Sequence, residues 1–410
     1  MADMNTDVLI IGAGPAGTSA ASLLHQAGYK ALIIESQKFP RFVIGESLLP
    51  RSMDLLDEAG MLEAVHKRNY MVKNGAVFLR GDQACTINFG EQFTNGWKYT
   101  YQVPRDDFDK VLADVVEAKG IEILWEHKVT DVRFTDTGPE TVIQDKDGKT
   151  ISISSRFILD GSGYGRVLPR LLDLNLPSKL AIRDSIFTHV TGDKRPQGSE
   201  EGQIWICVLP GNAWLWIIPF SNGKTSIGVV AKPDFIDSFP GELDEKLRAI
   251  IDSEPNARKR LGDTKFVFPT ERIHSYSISV KRLCGKYYAL MGNATEFLDP
   301  VFSSGVTLAL ESANRAAKTL IRQLNGEQVD WDKEYAEYLM QGVDTFRTFV
   351  NAWYEDKLST IFFCPVHPEG VKSQVCSVLA GYVWDKDNPC VEQHERAVNA
   401  LAELCAQQTA

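Results

Sequence analysis

The stretch TDVLIIGAGPAGTSAASLLHQAGYKALIIES constrains the fold more than any other part of the chain, because it joins two apolar strands through a glycine turn and a helix. Residues 8–11 form the continuous apolar run expected of a parallel strand that is covered on both faces. A second apolar run, residues 31–34, ends at Glu35. The order strand, glycine turn, helix, strand predicts a Rossmann-like dinucleotide site in an α/β fold.

Each glycine of Gly12-Ala13-Gly14-Pro15-Ala16-Gly17 has its own physical task. Gly12 permits the tight turn, Gly14 lets the backbone approach a pyrophosphate, and Gly17 lets the helix lie close on the strand. The helix begins with Pro15 and Ala16, so its unpaired N–H groups and the positive end of its dipole face the anion. We therefore expect all five residues to contact the dinucleotide.

Glu35 lies about 20 residues after the glycines, where a carboxylate can accept a hydrogen bond from a ribose hydroxyl. Because the same arrangement serves NAD and FAD, these residues alone leave the choice of cofactor open.

Later segments resemble the corresponding parts of the FAD-dependent monooxygenases and reductases of the p-hydroxybenzoate hydroxylase fold. They are RFVIGESLLP, YQVPRDDFDK, RFILDGSGYG and the strand that leads into GNATEFLDPVFSSG. The resemblance covers roughly the first 330 residues and implies FAD as the cofactor. It implies FAD contacts from Glu46, Ser47, Arg105, Asp160, Gly161, Asn293, Pro300 and Gly305.

Position 293 departs from the family pattern, in which the motif usually reads Gly-Asp-Ala. Asn293 can still donate and accept hydrogen bonds, but it carries no charge. This departure is the support for one alternative, a flavin-binding protein that has lost catalysis and serves as an interaction partner.

Two tryptophans stand one residue apart in the segment AWLWIIP. In a strand, Trp214 and Trp216 point to the same face, and on structural grounds alone such rings belong to a core. The segment resembles the WxWxIP signature of flavin-dependent halogenases. There the rings would keep an organic substrate from the activated oxygen on the flavin, so that the oxygen passes to a halide.

Two further segments resemble parts of the halogenases. Lys73, in the segment VKNGAVFL, resembles the lysine that holds hypohalous acid, and partial burial would lower its pKa. The segment FLDPVFSSG resembles their Fx2Px2SxG loop, which implies that chloride or bromide binds near Ser304 and Gly305. Backbone N–H groups before a helix suit such an anion.

The fold expected is α/β, or α+β overall, with three parts. They are a discontinuous Rossmann-like FAD-binding domain (1–179 and 269–330), an antiparallel-sheet substrate domain (180–268) and a helical C-terminal region (331–410). Strand-like segments separated by turns between 180 and 268 indicate the sheet. Aromatic residues at helical spacing in the last part indicate helices. Phe346, Phe349, Trp353 and Tyr354 could line a pocket, although a core position is the more common one.

Charge and composition limit the partners. The formal net charge of -10 argues against nucleic acid, and no apolar run approaches the roughly 20 residues that cross a bilayer. We expect a cytoplasmic protein. Seven scattered cysteines without a CxxC pair indicate ordinary thiols and no metal site.

The leading prediction is a halogenase-like flavin monooxygenase with Lys73, Trp214, Trp216 and Ser304 as catalytic residues. Its substrate would be a small aromatic compound, free or tethered to a carrier. The electron donor would be NAD(P)H, acting directly or through a partner flavin reductase. The alternatives are a flavin reductase or dehydrogenase of a hydrophobic, isoprenoid-like substrate, and an ordinary aromatic hydroxylase.

Overall fold

The computed structural model describes residues 2–178, 180–274, 278–366 and 370–409. Its strands, in chain order, are β1 (Met4–Asn5), β2 (Val8–Ile11), β3 (Ala31–Glu35), β4 (Met71–Lys73), β5 (Gly75–Arg80), β6 (Gln83–Asn88), β7 (Thr100–Gln102), β8 (Glu122–Trp125), β9 (His127–Thr135), β10 (Gly138–Asp145), β11 (Thr150–Ser154), β12 (Phe157–Asp160), β13 (Asn175–Pro177), β14 (Asp184–Thr191), β15 (Ile204–Leu209), β16 (Ala213–Pro219), β17 (Lys224–Ala231), β18 (Lys265–Phe266), β19 (Glu271–Ile273), β20 (Ile278–Val280), β21 (Cys284–Gly285) and β22 (Tyr288–Leu290).

The α-helices follow the same order along the chain. They are α1 (Pro15–Gln26), α2 (Arg51–Glu58), α3 (Leu62–His66), α4 (Arg105–Ala118), α5 (Val167–Leu171), α6 (Pro233–Asp237), α7 (Leu243–Ser253), α8 (Pro255–Leu261), α9 (Ser304–Leu324), α10 (Tyr338–Tyr354), α11 (Lys357–Phe362), α12 (Val371–Leu379), α13 (Pro389–Glu392) and α14 (His394–Thr409). A π-helical segment, Asp332–Glu337, precedes α10. Within the described ranges, no helix combines the length and apolar character that crossing a membrane requires.

A six-stranded sheet in the order β21-β22-β12-β2-β3-β8 carries the glycine turn. All neighbouring strands are parallel except β21 and β22. The chain leaves β2 toward β3 on one side, while β12 lies on the other side, so the strand order reverses at β2. Ligands of open α/β sheets bind outside the carboxyl ends of the strands at such a point.

A second sheet has the order β18-β14-β17-β16-β15-β5-β6, with β19 also paired to β14. The two faces of β16 enter different cores. Trp214, Trp216 and Ile218 belong to the main core of the molecule, whereas Leu215 and Ile217 belong to a separate core that α6, α7 and α8 cover. The period-2 alternation expected for this segment therefore places both indoles on the inner face.

The second sheet differs from the expectation in three ways. β5 and β6 come from residues 75–88, far outside 180–268, and β5 runs parallel to β15. Residues 233–261 form helices instead of strands. A capping box between Glu242 and Glu245 begins α7, and Pro255 begins α8. The three domain boundaries remain a prediction.

The C-terminal helices pack into the main core, as their aromatic spacing indicates. Phe346 and Phe349 of α10 are fully buried. Trp353 lies 5.6 Å, between ring centroids, from Phe78 of β5. All seven cysteines are buried thiols.

Candidate active site

A cavity of about 680 Å³ runs from the glycine turn of the parallel sheet to the tryptophans of β16. Most of the residues predicted from the sequence lie in its wall. Those in the wall are Gly12, Gly14, Pro15, Ala16, Glu35, Glu46, Ser47, Arg105, Gly161, Trp214, Trp216, Asn293, Pro300 and Gly305. Four others lie outside it: Gly17, Lys73, Asp160 and Ser304.

The glycine turn has the geometry that its sequence predicts. Gly12 has a φ of +94°, and a Cβ there would lie 2.6 Å from the carbonyl oxygen of Gly161. A Cβ on Gly17 would lie 1.9 Å from the carbonyl oxygen of Gly12, because α1 crosses directly over the turn. Gly17 therefore serves the close helix packing, while Gly14 borders the cavity.

Arg41 also borders the cavity beside this turn, and sequence reasoning missed it. Its Nη2 would lie 3.6 Å from a Cβ on Gly14, so a cation faces the N-terminus of α1. An ion pair with the buried Asp109, 3.1 Å between Nη1 and Oδ2, holds it there. A guanidinium beside unpaired helix N–H groups suits a phosphate. No local motif marks this arginine.

Glu35 ends β3 with its carboxylate against the turn. Oε2 accepts a hydrogen bond from the backbone N–H of Ala13 (2.8 Å), and Oε1 accepts one from the N–H of Gln37 (2.8 Å). Oε1 also accepts a hydrogen bond from Ser36 Oγ (3.4 Å), whereas Oε2 has one acceptor position left and can still receive a ribose hydroxyl.

Asp160 does not reach the cavity, although it ends β12. Its carboxylate accepts hydrogen bonds from the backbone N–H groups of Ser162 (2.9 Å) and Leu168 (2.7 Å). Burial raises the pKa of this fully enclosed carboxyl group. Asp160 thus shapes the loop that presents Gly161 and Tyr164 to the cavity, and its expected direct contact with the cofactor has no support in this geometry.

Arg105 begins α4 and is buried beside the cavity. Its guanidinium forms a bidentate pair with Asp109, at 2.8 and 3.0 Å, and Nη1 donates to the carbonyl oxygen of Gly45 (3.2 Å). The arginine therefore fixes the segment that carries Glu46 and Ser47.

Glu46 is 1% exposed, and sequence reasoning missed its partner. Oε1 lies 2.7 Å from Nε2 of His189 on β14, whereas the buried Oε2 has no hydrogen-bond partner among the described residues. A buried carboxylate oxygen without a donor is costly, so a donor from a bound group is expected there. The two residues are 143 positions apart, and no local pattern connects them.

Lys73 is the last residue of β4 and lies outside the cavity wall. It is 2% exposed, and its Nζ donates to Ser47 Oγ (2.8 Å) and to the carbonyl oxygen of Leu48 (2.8 Å). Burial lowers its pKa to about 7. Lys73 is more deeply buried than the partial burial expected from the sequence. Its amine contacts the hydroxyl of Ser47 and does not border the cavity.

Trp214 and Trp216 close the other end of the cavity with ring centroids 5.8 Å apart. Trp216 Nε1 donates to Ser226 Oγ (3.1 Å). Trp214 Nε1 donates to the hydroxyl of Tyr354 (3.0 Å), which in turn donates to Asp299 Oδ2 (2.6 Å). Hydrogen bonds thus hold both indoles. Tyr354 fixes one ring, while Phe346, Phe349 and Trp353 pack in the core without lining this cavity.

The loop before α9 brings backbone groups to the cavity between these ends. Ser303 and Gly305 lie in the wall, whereas Ser304 is 3% exposed and outside it. Ser303 has left-handed backbone angles (φ 58°, ψ 28°) and α9 begins at the next residue. The first N–H groups of α9 are therefore available to an anion, and Ser303 is better placed than Ser304 to supply a hydroxyl.

The cavity fits an FAD molecule on three observations. Glycine alone fits the turn at Gly12, the guanidinium of Arg41 lies beside Gly14 at the N-terminus of α1, and Glu46 in the wall retains an unused acceptor. Glu35, Gly14 and Glu46 are placed to contact ribose, pyrophosphate and a hydrogen-bond donor of the ring system respectively.

Comparisons with known proteins agree with this fit. The model of the family described as FAD binding domain matches residues 5–336. A 1H-pyrrole-2-carbonyl-(peptidyl-carrier protein) chlorinase of Pseudomonas fluorescens is 28% identical over an alignment of 412 positions. The alignment covers 94% of this chain and 91% of the chlorinase. Several other curated relatives are longer, and the chain spans 62 to 69% of their length.

Solved structures also match nearly the whole chain. A flavoprotein/dehydrogenase from Cytophaga hutchinsonii is 47% identical, with a TM-score of 0.96 over 99% of this chain and 100% of the other. A flavin-dependent brominase is 23% identical, with a TM-score of 0.86 over 99% of this chain and 100% of the other. At that identity the second match shows the fold alone.

Proposed function

The chain belongs to the family of FAD binding domain proteins, within the superfamily of FAD-dependent monooxygenases and halogenases, and from this premise we propose that it is a halogenase. It is an FAD-dependent oxidoreductase, and the predicted fold class and FAD cofactor are confirmed. The reaction that we propose uses reduced FAD, dioxygen and chloride or bromide on an electron-rich aromatic substrate.

The observation that carries the proposal is the position of the indole pair. A single cavity begins at the dinucleotide turn and ends at Trp214 and Trp216, which hydrogen bonds hold in place. Two fixed indoles at that end would exclude an organic substrate of similar size from the oxygen activated on the flavin. A small halide would still reach it.

Bound FAD in its reduced form supplies the electrons that activate dioxygen. The residues of the chain would bind the halide, orient the cofactor and exclude the organic substrate from the activated oxygen. The N–H groups at the start of α9, with Ser303 and Gly305 beside them, would hold the halide. The segment from Glu46 to Ser47, fixed by Arg105, would orient the cofactor, and Lys73 would act on the oxidant from behind Ser47.

The names of two relatives support a proposal for the substrate class. The curated relative from Pseudomonas fluorescens is named for a pyrrole-2-carbonyl group on a peptidyl-carrier protein, and a brominase of Pseudoalteromonas luteoviolacea carries the same substrate in its name. We propose a pyrrole or phenol, free or tethered to a carrier, as the substrate of this chain. NAD(P)H would reduce the FAD directly or through a partner flavin reductase.

A second candidate is a flavin reductase or dehydrogenase of a hydrophobic substrate. The 47% identical structure is described as a flavoprotein/dehydrogenase, and the Nζ of Lys73 contacts Ser47 instead of the cavity. A dehydrogenase would need neither a halide site nor that lysine.

The test supplies the purified protein with reduced FAD, dioxygen and bromide, together with a panel of pyrroles, phenols and indoles, free and loaded on a carrier protein. Mass spectrometry then looks for the bromine isotope pattern. Bromide-dependent product that disappears under anaerobic conditions is the expected result. Reduction of FAD by a hydrophobic substrate without oxygen, with no brominated product from any panel member, would instead establish the dehydrogenase.

A further inference from the structure

Lys73 and Ser47 form a contact that connects a fully buried lysine with a hydroxyl in the cavity wall. Nζ of Lys73 lies 2.8 Å from Ser47 Oγ and 2.8 Å from the carbonyl oxygen of Leu48. Lys73 is 2% exposed, and its ammonium also lies 5.6 Å from the ring centroid of Phe89. Ser47 borders the cavity. Among the described residues, Ser47 is therefore the link from this lysine to a bound group.

The chemistry of the two side chains sets the direction of the link. An ammonium has three donors and no acceptor, whereas a hydroxyl has one donor and two acceptor positions. While Lys73 is protonated, Ser47 Oγ accepts a hydrogen bond from it, and the hydroxyl proton of Ser47 is free to point into the cavity. When the amine is neutral, its lone pair can accept that proton instead. The protonation of Lys73 therefore decides where Ser47 donates.

We propose that Lys73 acts on the bound group through Ser47, which relays a proton from the lysine to an oxygen atom in the cavity. The inference rests on the proposed function, because oxygen-dependent chemistry on a bound flavin would leave an oxygen atom in the cavity that takes up a proton. Ser47 is then the residue that touches the bound group, and Lys73 is a positioning residue that acts through it.

The step balances without a further reactant. The Nζ–H bond of Lys73 breaks and an O–H bond forms at Ser47 Oγ. At the same time the original hydroxyl proton of Ser47 bonds to the acceptor oxygen. The lysine becomes a neutral amine, the acceptor becomes a hydroxyl group, and no electrons change hands. After the product leaves, water supplies a proton through Ser47 in the reverse direction.

The surroundings of Lys73 allow it to release a proton near neutral pH. Burial alone lowers its pKa to about 7, and no carboxylate contributes to the shift. The ionisable groups on the packed elements have other partners or stay neutral. Tyr101 of β7 has a pKa raised to about 12 by burial, Glu46 bonds to His189, Arg105 pairs with Asp109, Arg51 pairs with Glu311, and Glu91 pairs with Lys372.

The experiment measures how fast the reduced holoenzyme regains the visible absorbance of oxidised flavin after mixing with oxygenated buffer and bromide, over a pH range around 7. The variants are Lys73→Met, Ser47→Ala and Ser47→Thr, and each rate is expressed per bound flavin. Lys119→Met is the matched control. Lys119 Nζ also donates to a serine hydroxyl and a backbone carbonyl, Ser22 Oγ (2.6 Å) and Ala59 O (3.1 Å), but it lies outside the cavity wall.

In the unaltered protein, the rate should fall as the pH rises through about 7, because the protonated lysine is the donor. Lys73→Met and Ser47→Ala should each lower the rate at low pH by about 100-fold and remove the pH dependence. Ser47→Thr, which keeps the hydroxyl, should retain the pH dependence, whereas Lys119→Met should preserve both the rate and the pH dependence. If Ser47→Ala keeps the pH dependence, or if the unaltered protein shows none, the relay is wrong.

Brominated product from the same reactions separates this inference from the proposed function. Loss of the pH dependence in Ser47→Ala without brominated product in any sample would support proton transfer from Lys73 through Ser47 to an oxygen atom of another flavin reaction and reject the halogenase. Brominated product from unaltered protein, together with an unchanged pH dependence in Ser47→Ala, would do the opposite.

Discussion

Gly14 and Gly17 belong to the same turn, but they meet different constraints. Gly14 has ordinary extended backbone angles (φ -71°, ψ -174°), and its added Cβ would lie 3.6 Å from Arg41, whereas a Cβ on Gly17 would collide with a backbone carbonyl. The free protein can therefore accommodate alanine at the first position and not at the second.

This difference predicts opposite phenotypes. Gly14→Ala should leave the free energy of unfolding within about 0.5 kcal/mol of the original, because nothing is displaced. It should raise the Kd for FAD about tenfold or more, equivalent to about 1.4 kcal/mol, because the methyl group occupies the space of the pyrophosphate. Gly17→Ala should cost about 3 kcal/mol of stability. Urea unfolding and FAD titration measure the two effects, and an FAD affinity unchanged by Gly14→Ala would place the diphosphate elsewhere.

The buried Lys73 should make stability depend on pH. Its pKa is about 7 in the folded protein and 10.5 in the reference state, so the unfolded chain binds more protons between these values. Stability then rises with pH across that window. The difference in unfolding free energy between the unaltered protein and Lys73→Met should shift by about 1 kcal/mol per pH unit in favour of the unaltered protein. Urea unfolding at several pH values measures it, and a constant difference would mean that the amine is solvated.

At the scale of elements, β16 depends on its neighbour β17 for the position of Trp216. A Cβ on Gly228 would lie 2.3 Å from Cη2 and Cζ2 of that indole and 2.7 Å from the backbone carbonyl oxygen of Ile186. Gly228→Ala should therefore cost about 1 to 3 kcal/mol in urea unfolding. In a Trp216→Phe background, which lacks the far ring atoms, the same change should cost less, while the contact with the carbonyl oxygen of Ile186 remains. Equal costs in both backgrounds would show that the indole does not occupy this site.

Helix α10 holds the other indole through Tyr354, whose hydroxyl lies between Trp214 and Asp299. Tyr354→Phe should lower stability by about 1 to 3 kcal/mol, because a buried indole N–H loses its acceptor and a buried carboxylate loses a donor. It should also weaken FAD binding by about tenfold, since Trp214 and the loop that begins at Asp299 both border the cavity.

Tyr338 is the matched control for this prediction, because it lies on the same helix and donates to Glu311 (2.7 Å). Tyr338→Phe should lower stability by a similar amount and leave the Kd for FAD within about twofold of the original. An equal loss of FAD affinity in both variants would mean that α10 affects the cavity only through general stability.

At the scale of the whole molecule, the sequence predicts features that are local and misses those that join distant segments. The glycine turn, Glu35 and the alternation of β16 each follow from a few neighbouring residues, since a strand, a turn and a helix are short-range structures. The pair of Glu46 with His189 and the bond from Trp214 to Tyr354 cross more than 100 positions, and no spacing rule relates their members.

The sequence also does not predict which sheet a strand joins or in which direction a side chain points. Residues 75–88 join the second sheet because β5 pairs with β15, which lies more than 100 residues later in the chain. Neither strand carries a local sequence pattern that identifies the other as its partner. The motif around Lys73 correctly indicated burial and a lowered pKa, but the direction of Nζ depends on where Ser47 lies in a different segment. The loop FLDPVFSSG contains Ser303 and Ser304 side by side, and its sequence does not show that Ser303, and not the predicted Ser304, borders the cavity.

The most direct test of the central claim is a crystal structure of the FAD complex grown with bromide, with the anomalous signal of bromine measured. The account predicts FAD extended from the glycine turn toward Trp214 and Trp216, with one bromide beside the N–H groups at Ser303 and Gly305. A flavin ring bound away from the indoles, or bromide absent from that loop while the ring is in place, would contradict it.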